Sequence, residues 1–544
     1  MAEIKIAINN KQEAIRNWVK KNRLEAILIA IIILVGAYLR LYRIDEYMTF
    51  LGDEGRDVIV VRKLLVDFDP ILVGPGTSIG DMYLGPLYYY MMAPALLLAN
   101  FSPVGPAVMI ALLGILTIFL VWKITREWFG PAAAGLSALL YATAPIVIIY
   151  SRSSWNPNIM PFFALLCIYA TWEIWQKHEW KWLIVLGISY AFVLQSHYLG
   201  LLLAPVIGFF WLLTYLKIKG KTHVVKEFLR KSFFGFGIFA ILMSPLLIFD
   251  ARHGWRNFSA IRRFFFERQT TVSARPWTAL PKLWSIIEKI TTRLLSGTYF
   301  LVGKFISIFF VLGFLLAVVR QVSLRLTNST SQHRTVEKLT KDKFSSAAFL
   351  VLFVWIGVAL IGLGVYKQEI YDHYYGFFFP APFILFGGII ATLTETVKEK
   401  IFILRWLTYL IIFLAIFFLV LLNIRYSPLR YPPNRQLQRT EEVAQKIIDE
   451  SSGREFNLAV IAERNYEGAY QYFLEMWGEP FVKIDPQRAD DTITDQLFVV
   501  CELPQDKCDP THDPKAEVAN FGWSKIESQW AVSGTILFKL IHSQ

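Results

Sequence analysis

Twelve separate stretches of this chain are apolar over about 17–25 residues, the length that carries an α-helix across a bilayer, and nothing else constrains the fold as much. They run over residues 25–41, 84–101, 106–123, 132–150, 158–175, 182–197, 199–216, 232–249, 298–320, 347–365, 374–396 and 402–424. Lipid offers no partner to a free peptide group, so runs this long and continuous span as helices. The expectation is an all-α polytopic membrane protein with about 11 to 13 transmembrane helices. Composition supports it: 55% hydrophobic against 18% charged residues is rare in a water-soluble chain and excludes a disordered chain, a collagen or a disulfide scaffold.

Charge gives the orientation. The net +12 divides into +19 over residues 1–426 and −7 over residues 427–544, so the basicity belongs to the apolar part. Lys and Arg flanking spans mark a cytoplasmic face, which makes no nucleic-acid partner the simpler reading. Residues 1–24 form a basic amphipathic leader with Lys11, Arg16, Lys20, Lys21 and Arg23, and no small-residue cleavage site follows the first span, so it is expected to be an uncleaved anchor with a cytoplasmic N-terminus. Basic linkers at Lys123 with Arg126, Lys177 with Lys181, 217–231, 320–343 and Lys398 with Lys400 are expected on the same side.

That assignment puts loop 42–83, the turn 151–158, residues 195–200, loop 250–297, residues 366–376 and everything beyond 425 on the opposite, extracytoplasmic face of the cell membrane. Lys123 can be cytoplasmic only if one of the two stretches before it fails to cross. Residues 84–101, interrupted by Pro86 and Pro94, are the candidate, which leaves an odd number of crossings, 11, or 13 if a span is missed. Residues 25–425 then form the membrane domain. Residues 426–544 follow a breaker run, SPLRYPPNR, and alternate helical (EEVAQKIIDE, YEGAYQYFLEMW) with strand-like segments (FNLAVIA, QLFVVCE, GTILFKLI), as a small soluble extracytoplasmic α/β domain does. Its Cys501 and Cys508 flank a turn and either pair as a disulfide or stay as two thiols.

Polar residues in the extracytoplasmic loops are where chemistry can sit. Loop 42–83 opens with GDEGRD, placing Asp53 and Glu54 side by side ahead of an apolar run suited to an interfacial helix. Adjacent helical residues do not share a face, so the pair reads as one functional carboxylate and one helix-start companion, or as a solvated acidic cap. The loop continues through Asp81 to a tyrosine cluster with Tyr88, which equally suits an aromatic belt. Further loops add Arg152, Trp155, Asn156 and Asn158, then His197 and Tyr198, then Arg252, His253, Arg256, Arg262 and Arg263. A cationic outer loop runs against the positive-inside trend. A lipid-linked phosphate accounts for it, as do anionic headgroups. A carboxylate that takes an acceptor's proton, with Arg and His beside a phosphate leaving group, describes sugar transfer from a polyprenyl phosphate.

These residues resemble the GT-C superfamily of integral membrane glycosyltransferases, in the branch of the dolichyl-phosphate-mannose protein mannosyltransferases and bacterial aminoarabinose transferases. The resemblance covers roughly residues 25–425 and rests on an ordered set: an anchor helix, the Asp53-Glu54 pair, Pro86 to Tyr89, Arg126 to Ala134, Tyr150 to Arg152, and Phe249 to Gly254. It implies inverting transfer from a polyprenyl-phosphate sugar to a protein, lipid or wall-polymer acceptor. It further implies Asp53 as general base, Glu54 in support, Arg252, His253 and Tyr374 near the donor phosphate, and Asp81, Tyr88, Arg152, Asn156 and His197 around the substrates. The chain departs from the family where Leu84-Gly85-Pro86 replaces a segment that often carries a cation, and where Asn156 and Asn158 stand in a turn that frequently carries Asp. No cofactor is implied. A divalent metal would have only Asp53, Glu54, Asp57 and Asp81 to draw on. A lipid-saccharide flippase and an oligosaccharyltransferase-like enzyme are the competing readings, the first disfavoured because Glu173 and Lys304 are the main charges within spans.

Overall fold

The computed structural model describes residues 2–77, 82–266, 272–273, 275–327, 336–398, 400–463 and 467–543, with only the backbone for residues 2–11, 265, 320–327 and 336–344. Every apolar stretch is helical: Arg23–Leu41, Leu87–Leu98, Val104–Phe129, Pro131–Thr143 with Pro145–Tyr150, Met160–Lys177, Trp182–Ser196, Leu203–Ile218, Thr222–Arg252, Phe300–Thr327, Val336–Gly364, Pro380–Val397 and Phe402–Arg425. Among the described residues nine helical segments are long and apolar enough to cross a membrane, and the protein is a multi-pass membrane protein. Helix Thr222–Arg252 is longer than the expected 232–249, because the basic residues before the span continue it rather than ending it.

The shortest of the twelve, Leu87–Leu98, measures ~18 Å at 1.5 Å per residue and cannot cross ~30 Å of hydrocarbon. Both of its ends lie on one face. Tyr89 near its start donates from Oη to Asp57 of the first loop at 3.0 Å, while the Phe101 carbonyl just past its end accepts from Tyr472 Oη of the C-terminal domain. Because that domain touches the first loop, the chain enters and leaves the intervening bundle on the same face. An even number of crossings must lie between; ten apolar helical elements are found there, eight of them among the segments long enough to cross.

Burial separates a centre from a rim. The segment Asn156–Lys177 is 83% buried over its most apolar window, against 6% for Thr222–Arg252 and 11% for Phe402–Arg425, whose Leu, Ile and Phe side chains are left for lipid. Glu173, at the end of the central helix, is satisfied by Lys177 at 2.6 Å, and the same ammonium reaches Glu127 at 2.7 Å. The described residues of loop 250–297 include two amphipathic helices, Arg256–Phe266 and Leu283–Leu295, and a 3-10 turn, Pro276–Lys282.

The C-terminal domain is α/β, with helices Gln436–Ser451 and Glu467–Trp477 beside a sheet of β1 (Asn457–Ile461), β2 (Gln496–Cys501), β3 (Ser524–Val532) and β4 (Thr535–His542). The order is β1-β2-β4-β3, with β1 and β2 parallel and the other pairings antiparallel. Strand β3 was not expected, because SKIESQWAV is a polar edge strand with little apolar alternation. Its hairpin closes at Ser533-Gly534, both at positive φ (46° and 83°), as a two-residue turn of this kind requires. Cys501 and Cys508 form a disulfide, which resolves the alternative left open by the sequence.

Candidate active site

The first loop folds into a helix, Gly52–Val66, whose start is capped by its own sequence: Glu54 reaches back so that Oε2 accepts the Leu51 N–H at 3.1 Å. Its buried side chains, Glu54, Asp57, Val58 and Val61, recur at helical spacing and define one inward face. Asp53 lies off that face, its side chain 52% exposed. The adjacent carboxylates therefore divide by exposure, Glu54 as the buried helix-start companion and Asp53 as the more exposed of the two, although both border the same cavity. The three N–H groups leading into the helix are held from three directions: Thr49 by Ser153 Oγ (2.8 Å), Phe50 by Gln436 Oε1 (3.1 Å) and Leu51 by Glu54.

A cavity of ≈470 Å³ opens beside Asp53, lined by Thr49, Leu51, Gly52, Asp53, Glu54, Ile149, Tyr150, Ser153, Trp155 and Asn158. The lining combines carboxylates with hydroxyl, amide and aromatic groups, and none of these ten residues is cationic. Just behind, Arg56 spans two carboxylates: Nη1 donates to Asp53 Oδ1 at 2.8 Å, and Nε and Nη2 to Asp57 Oδ1 at 3.0 and 2.7 Å. Asp57 is fully buried and its Oδ1 also accepts from Tyr89. Burial pushes the Asp57 carboxyl up to about 6 against the pull of Arg56, and pushes Glu54 up to about 7.

The other expected site residues fall into two groups. Tyr88, Arg152, Asn156, His197 and Tyr374 gather around the cavity without lining it. Tyr88 Oη pairs with Ser154 Oγ at 2.6 Å. Arg152 is buried, its guanidinium donating to the carbonyls of Leu39 (2.8 Å) and Tyr42 (2.7 Å), so it pins the end of the anchor helix to the turn 151–158. Asn156 Nδ2 donates to Ser196 O at 2.7 Å and locks that turn to the next helix pair. In this turn it is Ser153, Trp155 and Asn158 that face the cavity. His197 and Tyr374 meet with ring centroids 5.1 Å apart and reach the cavity wall through His373, which packs edge-on against Trp155 at 4.7 Å. Burial lowers His197 to about 3 and His373 to about 4, so both are neutral near pH 7. The His197 Nδ1 accepts the Leu199 N–H, which puts the proton on Nε2.

Arg252 and His253 are the second group. Both are exposed and neither lines the cavity; His253 stacks on Phe249 at 4.1 Å and holds its carbonyl. Their segment is nonetheless anchored to the first loop. Buried Asp250 caps helix Arg256–Phe266 through Asn257 N and Phe258 N, and Asn257 Oδ1 accepts the Tyr83 N–H at 2.7 Å. Asp81 lies outside the described residues.

Sequence reasoning gave no site role to Arg56, Ser153 or the Arg293–Asp372 pair (2.9 Å from Nε to Oδ1) that borders Tyr150, and took Tyr89 and Tyr150 only as parts of motifs. Arg56 carried a local signal, standing three residues after Asp53 on a helix beside Asp57. Among the described residues no three His, Cys, Asp or Glu side chains form a metal-binding group.

Residues 84–249 match the family described as dolichyl-phosphate-mannose-protein mannosyltransferase. The matched segment contains Tyr88, Arg152, Asn156 and His197 and leaves out Asp53, Arg252 and Tyr374. No curated protein matches the sequence. Among solved structures, ArnT from Cupriavidus metallidurans bound to undecaprenyl phosphate superposes with a TM-score of 0.55 at 13% identity, covering 94% of this chain and 97% of that one. The apo state of the same ArnT gives 0.57 at 13% identity, with 97% and 98% covered. The archaeal oligosaccharyltransferase AglB from Archaeoglobus fulgidus, in complex with an inhibitory peptide and a dolichol-phosphate, gives 0.51 at 13% identity over 84% of this chain and 64% of that chain. The chain thus has the fold of these GT-C glycosyltransferases, as its resemblance to the mannosyltransferase and ArnT branch implies.

Proposed function

We propose that the protein transfers a sugar from a polyprenyl-phosphate donor to a hydroxyl acceptor, with inversion, on the extracytoplasmic face of the cell membrane. The observation that carries this reading is the half-exposed Asp53 carboxylate at the mouth of a cavity without cationic lining, at the edge of a bundle whose fold is that of an ArnT bound to undecaprenyl phosphate. The acceptor O–H gives its proton to Asp53, and the oxygen attacks the anomeric carbon from the side opposite the phosphate. The C–O bond to the phosphate breaks with its electron pair, and polyprenyl phosphate leaves.

In this reading Arg56 fixes the Asp53 carboxylate, Glu54 caps the helix that presents it, and Trp155, Tyr150 and Asn158 receive neutral sugar or acceptor hydroxyls. Arg152, Asn156 and Tyr88 hold the walls. Arg252 and His253 collect the donor phosphate from the membrane surface, with Tyr374 and His197 supporting the wall between. The N-terminus is cytoplasmic and the C-terminal domain lies outside, where an oxidising compartment suits the Cys501–Cys508 disulfide.

The test is release of polyprenyl phosphate by the protein in lipid nanodiscs, offered a panel of radiolabelled polyprenyl-phosphate sugars and crude membrane acceptors. Asp53→Asn should lower turnover by about 10²–10⁴-fold, the usual worth of a general base. Full turnover in that variant would rule Asp53 out. Donor binding without release in either protein would favour a lipid-saccharide flippase instead.

A further inference from the structure

We propose that the C-terminal domain is part of the catalytic apparatus, with Gly468 and Gln436 as positioning residues that set the pose of the Asp53 carboxylate. This rests on the reading of Asp53 as the base. None of the residues lining the cavity comes from the C-terminal domain, so it acts on the site through the elements it touches, the first-loop helix foremost.

Its contacts converge on the residues that flank Asp53. Helix Glu467–Trp477 crosses the start of helix Gly52–Val66 backbone to backbone. A methyl group at Gly55 would overlap the Gly468 carbonyl and the Ala469 nitrogen, and one at Gly468 would stand 2.6 Å from Gly52 O and 2.8 Å from Arg56 N. Glycine is required on both sides of this crossing, because any side chain drives the two helices apart. The crossing residues 52, 55 and 56 bracket Asp53 on its own helical turn.

Two further contacts hold the approach to that turn. The fully buried Phe50 ring is packed edge-on by Tyr472 and Phe473 at 6.3 and 6.0 Å, and its N–H is capped by Gln436 from the start of the other domain helix. Tyr472 donates its hydroxyl proton to Phe101 O, past the end of the short helix whose Tyr89 bonds Asp57, the partner of Arg56. The domain therefore grips Asp53 directly through the glycine crossing and indirectly through Tyr89, Asp57 and Arg56. A general base must sit within about 0.5 Å of its working position, so contacts that fix the turn carrying it bear on rate.

The experiment uses the full chain in nanodiscs, with undecaprenyl-phosphate mannose, glucose, galactose and arabinose as donors and undecaprenyl phosphate itself as the binding probe. Gly468→Val should cut turnover about 10²-fold, the scale of a 1 Å misplacement, while leaving the dissociation constant for undecaprenyl phosphate within about twofold. Hydrogen exchange at residues 49–57 should accelerate in the same protein. Gln436→Ala, a milder change that tests the idea should the valine variant fail to fold, should lower turnover several-fold with the same unchanged binding. Lys63→Ala removes an exposed ion pair to Glu475 across the same interface and should change nothing.

Wild-type turnover in Gln436→Ala, or faster exchange at 49–57 in Gly468→Val with wild-type turnover, overturns the inference. The two readings separate cleanly. Loss in Asp53→Asn with wild-type turnover in both domain variants defeats the positioning role alone. Full turnover in Asp53→Asn defeats the base.

Discussion

The first-loop helix and the segment 250–266 are the two halves of the site as the sequence proposes it, one acidic and one basic, and the structure treats them oppositely. The acidic half is held before any substrate arrives: Glu54, Ser153 and Gln436 each take a backbone N–H ahead of it, Arg56 clamps Asp53, and Gly468 lies against its first turn. The basic half is anchored through Asp250 and Asn257 but leaves Arg252 and His253 exposed to the surroundings. Pre-organisation is thus concentrated on the group proposed as the base, where misplacement would cost rate. The groups expected to meet a lipid phosphate are left free to capture a ligand that arrives by diffusion in the membrane plane.

The sharpest test of that contrast is Arg56→Lys. An ammonium keeps the charge but cannot bridge Asp53 and Asp57 as the guanidinium fork does, so turnover should fall about tenfold with donor affinity unchanged. An equal fall in both parameters would mean that Arg56 binds donor. The opposite pattern is expected for Arg252→Ala with His253→Ala: a several-fold loss of affinity for undecaprenyl phosphate that shrinks at high salt, with turnover at saturation kept, as suits exposed charges. Undiminished affinity would detach this segment from the donor.

The smallest effect concerns the helix start. With Glu54 pushed up to about 7 from the ordinary 4.5, the folded protein holds a proton there that the unfolded chain releases. Its contribution to stability is therefore full below pH 4.5 and is lost as pH rises towards 7, a slope that Glu54→Gln should remove in melting measurements across that window. Asp57 adds a slope of the same sign, which should persist in the variant.

The same two halves show how far a sequence can be read. Apolar run length finds the long helices of the bundle, because hydrophobic length is a local property, and the interrupting prolines single out residues 84–101, where the helix Leu87–Leu98 is the shortest of the twelve. The different exposures of Asp53 and Glu54 are legible because adjacent helical residues do not share a face. The crossing at Gly468 is not, since a glycine in EGAYQYFLEMW announces nothing until another backbone is brought against it. Nor is Gln436, a polar residue at a helix start whose partner is 386 residues away. Arg152 and Asn156 stand in a turn that does border the cavity, yet their side chains are spent on buried carbonyls, and Ser153, Trp155 and Asn158 are the ones presented. Strand β3 was missed for a further reason: at the sheet edge, polarity protects against pairing with another chain and erases the apolar alternation that marks a strand.

One measurement addresses the base directly. Azide attacks an anomeric carbon without a proton to lose, so a variant that lacks only the base should still use it. With an accepted polyprenyl-phosphate sugar, Asp53→Asn should fail with the hydroxyl acceptor yet form the glycosyl azide of inverted configuration, at a rate close to that of the wild-type protein with azide. Asp53→Asn that is inert towards azide as well, while still binding undecaprenyl phosphate normally, would contradict a role for Asp53 as proton acceptor.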